Sequence, residues 1–286
     1  MKLIAKFLAF GVLISKSANA FSFPELTTLP AAPLAADPMA LLNYDFEGIV
    51  KLSNCSGSLV RFNDSKASDP AMVLTNGHCV KLLDPGVVLV NQPTNKTFSL
   101  LRRDASQAAT LHATRLIFAT MTKTDIGLYQ LQENYQAIEQ QYGIPALTLS
   151  ETPPAIGTDV QVISGYWKRG YECQLEAEIY QLREGTWTMD SSLRFSRPGC
   201  ETIGGTSGSP VIATGTRTVV AVNNTGNDSG DRCTTNNPCE VDEKGGITFE
   251  KGRSYSQQIY WLTQCRNEKG VFDLNVRGCV LPKPKR

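Results

Sequence analysis

The chain has 286 residues, of which 41% are hydrophobic, 8% aromatic and 19% charged. That composition excludes a disordered, collagen-like or low-complexity protein and leaves a globular one with enough chain to bury a core. Lys and Arg number 28 against 27 Asp and Glu, so there is no basic footprint, and nucleic acid is not an expected partner.

The elements follow in chain order. Lys2 and Lys6 open a positive segment, residues 7–14 are apolar, and Ala18-Asn19-Ala20 is a small-x-small cleavage pattern. Residues 1–20 therefore read as a signal peptide. Its apolar run is too short to span a bilayer and no later stretch is long enough, so the expectation is a secreted protein, extracellular or periplasmic, without a membrane anchor. Removing Lys2, Lys6 and Lys16 leaves 25 positive against 27 negative residues, about −2. Residues 21–43 are rich in Pro and Ala without a sustained period and read as a linker or pro-segment.

After that come short runs rich in Val, Ile, Leu and Thr, punctuated by Gly, Pro and Asn. Strands are predicted over 47–53, 58–62, 71–75, 86–91, 111–119, 125–131, 159–164, 174–182, 210–213 and 218–222. Only 134–142 and 256–264 look helical. Too few crossover helices exist for a parallel α/β sheet, so the pattern predicts an all-β sandwich or barrel. The 145–154 stretch, poor in strand pattern, reads as a seam between two halves. Eight cysteines, Cys55, Cys79, Cys173, Cys200, Cys233, Cys239, Cys265 and Cys279, are an even number and favour disulfides. There is no CxxC, and His78 and His112 are the only histidines. No metal and no cofactor are expected.

Three segments carry chemistry. AMVLTNGHC (71–79) runs a buried-type strand into a turn that presents His78; KTDIGL (123–128) places Asp125 at the start of an apolar strand; GGTSGSP (204–210) presents Ser207 on a Gly-rich turn. A serine hydroxyl is a poor nucleophile until a neutral imidazole takes its proton, and the imidazole needs a carboxylate to fix its tautomer. Glycines before the serine let backbone N–H groups face a developing oxyanion. Asp84 and Asp104 lack the apolar sequel of Asp125, and Ser209 is a rival two residues past Ser207. His112 has no motif context and reads as a strand surface or core residue. The order His, Asp, Ser does not fit the α/β-hydrolase esterases, whose elbow needs a second glycine where Ser209 stands.

These segments, with CSGSL (55–59), resemble the His, Asp and Ser segments of chymotrypsin-like serine endopeptidases, over most of residues 46–262. GIVKLSNCSGSLV (48–60) resembles the opening of their first barrel and IGTDVQVISGY (156–166) that of the second; GTSGSP is closest to the bacterial glutamyl and lysyl endopeptidases. The resemblance implies two antiparallel Greek-key β-barrels and a short C-terminal helix. The domain would cover 44–286, with barrel one over about 44–145 and barrel two over about 146–265. It implies a serine endopeptidase, with His78, Asp125 and Ser207 catalytic and the backbone of Gly205 and Ser207 forming the oxyanion hole. Its partners would be protein or peptide substrates, and a monomer is expected. A catalytically inactive relative acting as a binding module is the alternative.

The resemblance also has departures. Thr206 stands where the animal digestive enzymes carry an aspartate that pairs with a released N-terminus, and Ile49-Val50 lies inside the first strand. The floor of the primary pocket falls on Glu201, with Thr202 beside it, and Asn223 replaces the histidine of the glutamyl branch. A carboxylate there would favour Lys or Arg side chains; if the alignment slips at Cys200, Glu201 faces solvent. The family implies Cys55–Cys79, closing a loop of about 24 residues for roughly 3 kcal/mol, and Cys173–Cys200. Proximity suggests Cys233–Cys239 and Cys265–Cys279. Residues 227–252 depart from the family core and read as a long surface loop.

Overall fold

The computed structural model describes residues 44–285; the expected signal peptide and the 21–43 segment lie outside them. Strands β1 (Ile49–Lys51), β2 (Ser56–Arg61), β3 (Pro70–Thr75), β5 (Thr97–Leu101), β6 (Gln107–Thr120) and β7 (Ile126–Asn134) close into a first antiparallel barrel. The closing pair is β1 with β2. Strand β4 (Val88–Pro93) pairs with β6 outside that ring. The second barrel runs through β9 (Asp159–Ser164), β10 (Arg169–Glu184), β11 (Trp187–Phe195), β12 (Pro210–Ala213), β13 (Thr218–Gly226) and β16 (Ser254–Gln258), and closes through β13 with β16. The expected all-β double barrel is the fold.

Alternation explains the strands. Along β10, Leu175 and Ile179 are buried while Glu176, Glu178 and Tyr180 are exposed, the period-two signature of a strand with one face on a core. Val73, Phe98, Leu100, Leu111 and Tyr129 fill the first barrel; Val160, Val162, Leu175, Phe195 and Val211 fill the second. Each such side chain contributes about 1.5–3 kcal/mol by leaving water.

Three short helices are seen among the described residues: α1 (Gly77–Val80), α2 (Tyr135–Tyr142) and α3 (Tyr260–Gln264). Asn134, expected inside α2, is its cap, accepting the Ala137 N–H at 2.7 Å. The helix predicted over 256–264 is half strand: β16 takes its first residues and α3 only the last five. The seam holds β8 (Leu147–Leu149), which runs parallel to both β2 and β13 and so stitches the barrels together.

All four expected disulfides form: Cys55–Cys79, Cys173–Cys200, Cys233–Cys239 and Cys265–Cys279. Residues 227–252 are more than a surface loop. Strand β14 (Cys239–Val241) pairs with β10 and with β15 (Ile247–Thr248). The buried Asn227 amide donates to the carbonyls of Asp231 and Pro238 at 3.0 and 3.1 Å, which folds the first half of the segment back over the end of β10.

Candidate active site

His78 sits on α1, a single helical turn that follows β3 and whose Cys79 is disulfide-bonded to Cys55, the residue before β2. Its Nδ1 lies 2.6 Å from Asp125 Oδ2, and its backbone N–H donates to Asp125 Oδ1 at 3.0 Å. Asp125, just before β7, is 1% exposed. Both of its oxygens are thus committed to one residue, so the carboxylate holds the ring and the turn that carries it. Burial disfavours the imidazolium, but the Asp125 charge, its hydrogen bond and the Glu184 carboxylate outweigh that and raise the His78 pKa above the ordinary histidine value.

Ser207 lies on the loop between Cys200 and β12 and lines one cavity together with His78 and Asp125. Its Oγ donates to the Asn224 carbonyl at 3.0 Å. Ser209, the rival, is fully buried with an unpartnered hydroxyl and does not line the cavity. His112 is exposed on β6, 3.1 Å from Glu133.

The loop itself needs its glycines. Gly205 has φ +89°, and a Cβ there would sit 2.8 Å from Tyr166; Gly208 has φ +79°, and a Cβ would sit 2.2 Å from the Ser56 carbonyl oxygen. Both positions therefore exclude a side chain on conformation and on space. Trp167 was not anticipated from sequence. Its indole N–H donates to the Gly204 carbonyl at 2.7 Å, and in a trans peptide the following N–H points the opposite way. The Gly205 N–H is thereby turned from Trp167, and neither it nor the Ser207 N–H donates to another described residue. Ser56 supports the loop from the first barrel: its N–H donates to the Ser207 carbonyl at 2.8 Å, and its Oγ is 3.0 Å from Ser164 Oγ. Its neighbour Cys55 is disulfide-bonded to Cys79, next to His78.

The residues expected at the primary pocket divide. Thr202 and Asn223 line the cavity. Glu201 does not. It is exposed, 3.4 Å from Arg197, and accepts the Gly199 N–H at 2.8 Å; these bonds hold its carboxyl below the usual range. The expectation of a carboxylate at the pocket base is thus corrected: a local turn and an ion pair draw Glu201 outward. Thr206 is fully buried 3.4 Å from the Tyr171 hydroxyl, so nothing charged occupies the position beside the serine. The cavity instead receives Glu184 and Asp228, with Thr235 and Asn236 of the Cys233–Cys239 loop, residues that sequence reasoning passed over. Cys55 and Cys79 lie close to His78, but their sulfurs are committed to each other.

No curated protein matches the sequence. Among solved structures, the chain is similar to the MamO protease domain from Magnetospirillum magneticum in its apo form, at 12% identity over 76% of this chain and 94% of that one, TM-score 0.45. The Nocardiopsis protease NAPase gives 16% over 75% and 92%, TM-score 0.42. A glutamic acid specific serine protease that uses a histidine triad in substrate binding gives 15% over 74% and 91%, TM-score 0.40. Residues 55–222, more than half of the chain, match the profile of the trypsin-like peptidase domain, and the chain belongs to that family.

Proposed function

We propose that the protein is a secreted serine endopeptidase that cleaves peptide bonds through Ser207, His78 and Asp125 by way of an acyl-enzyme. The observation that carries this reading is the 2.6 Å contact of His78 Nδ1 with buried Asp125, on the cavity that also receives Ser207. The Ser207 hydroxyl leaves the Asn224 carbonyl, gives its proton to Nε2 of neutral His78 and attacks the substrate carbonyl carbon. Asp125 stabilises the imidazolium so formed, and the N–H groups of Gly205 and Ser207 receive the oxyanion. The imidazolium then protonates the leaving amine, and water, deprotonated by the same ring, releases the acid. No cofactor enters this sequence. Four disulfides suit an extracellular or periplasmic site of action, and the enzyme acts on proteins or peptides as a monomer.

One observation favours a second reading, an inactive binding module: Ser207 Oγ is bonded to Asn224 rather than to His78. A fluorophosphonate probe separates the two. An endopeptidase is labelled at Ser207, and a binding module is not. Glutamyl specificity by a histidine triad is not available, since the chain has two histidines. A preference for Lys or Arg is the better supported reading, because no lysine or arginine is among the residues lining the cavity.

The acid limb of activity follows from His78. A general base must be neutral, so kcat/KM falls as pH drops through the His78 pKa. Asp125 and Glu184 raise that value, so the midpoint is expected above about 6.5. Removing the Glu184 charge as Glu184→Gln moves it down. A flat kcat/KM profile between about pH 5 and 8 would remove His78 from the mechanism.

A further inference from the structure

The cleft contains two carboxylates that take no part in the proton transfers of hydrolysis. Glu184 ends β10 and is 7% exposed, yet it lines the cavity shared by His78 and Ser207. A buried carboxylate is costly unless it is paired or well hydrogen-bonded. Glu184 receives the Asn236 N–H at 2.8 Å, from an asparagine held at φ +57°, and forms no ion pair with a described lysine or arginine. Asp228, which precedes the Cys233–Cys239 loop and donates its backbone N–H to the Asn236 carbonyl at 2.9 Å, lines the cavity as well. Independently, Asn223 is 2% exposed, borders the cavity, and its Oδ1 has no hydrogen-bond partner.

Beyond Asp125, which is committed to His78, the carboxylates of Glu184 and Asp228 and the Asn223 side chain thus border the cavity, and His78 is its one basic residue. A guest that satisfies them is a donor-rich cation, the guanidinium of Arg or the ammonium of Lys. We propose that Glu184, with Asp228 and Asn223, forms a subsite that binds a Lys or Arg side chain on the acyl side of the scissile bond. This rests on the endopeptidase reading and names the residues that would recognise its basic side chain. Burial pushes the Glu184 carboxyl up, the direction expected of an acid group whose cation arrives with the substrate. Glu184 and His78 line the same cavity, so the side chain bound there shares the cavity with the imidazole.

A purely structural role for Glu184, holding the Asn236 turn, is retained by Glu184→Gln, whose amide oxygen still accepts that N–H. The experiment compares wild type and Glu184→Gln on fluorogenic tetrapeptides carrying one Arg at each of the positions before the scissile bond in turn, with norleucine elsewhere. In wild type, Arg at one or more positions is expected to raise kcat/KM over norleucine by about tenfold or more, and Glu184→Gln to remove that factor. Absence of an Arg preference at every position, or equal losses on Arg and norleucine peptides, overturns the subsite. The same peptides are titrated calorimetrically into Ser207→Ala and Ser207→Ala/Glu184→Gln. If wild type cleaves none of them, the endopeptidase reading falls. The Arg-over-norleucine difference in binding, and its loss with Glu184→Gln, still decides the subsite.

Discussion

Ser207→Ala is expected to lower kcat by about a millionfold, the scale on which removing a serine nucleophile acts elsewhere. The side chain contributes one hydrogen bond, to the Asn224 carbonyl, so the stability cost is about 1 kcal/mol and the fold remains. Ser209→Ala is the control. That hydroxyl is fully buried and unpartnered, and replacing it removes an unsatisfied polar group while leaving the cavity lining as it is. Single-turnover hydrolysis and circular dichroism of both variants check the pair. Turnover kept by Ser207→Ala and lost by Ser209→Ala would reverse the assignment.

The second large effect is Asp125→Asn, expected to cost about ten-thousand-fold in kcat at neutral pH. The direction follows from two bonds. Asp125 Oδ1 accepts the His78 backbone N–H while Oδ2 faces Nδ1. An asparagine keeps its oxygen on the backbone N–H, where a donor needs an acceptor, and so turns its amide N–H toward Nδ1. The ring must then accept at Nδ1 and carry its proton on Nε2, the tautomer that cannot take a proton from serine. The shape is unchanged, so the midpoint of thermal unfolding should shift little compared with the loss in rate. Full activity in Asp125→Asn would show that the carboxylate only scaffolds α1.

What the sequence made legible follows physical lines. His78, Asp125 and Ser207 each end or begin an apolar run, and such boundaries survive in one dimension. Strands that read as short apolar runs between turn residues, such as β9 and β12, are predicted with their observed bounds. By contrast β16, SYSQQ, is buried throughout, and its two glutamine amides meet polar groups: Gln257 donates to Ser192 Oγ at 3.0 Å and Gln258 to the Ser191 carbonyl at 2.9 Å. Nothing in its pattern separates it from a helix. Strand β8 is three residues long and exists because two barrels meet on it. Glu201 follows the family spacing but not the family position, since Arg197 and Gly199 hold it on the surface. Glu184 lay hidden in an alternating strand end, and its role depends on Asn236, 52 residues later.

The dipeptide Cys55–Ser56 has a wider consequence. One of its residues is bonded covalently beside His78 and the other hydrogen-bonds the carbonyl of Ser207, so His78 and Ser207 share a caliper two residues long. Positional errors accumulated around the strands of either barrel do not have to be carried through the ring before they reach the pair His78 and Ser207. The cleft wall formed by Glu184, Asp228 and the Cys233–Cys239 loop is outside that caliper. On the proposed endopeptidase reading, insertions and charge changes in the wall can therefore retune which peptides enter while the spacing between His78 and Ser207 stays fixed, which separates the evolution of substrate choice from the preservation of the chemistry.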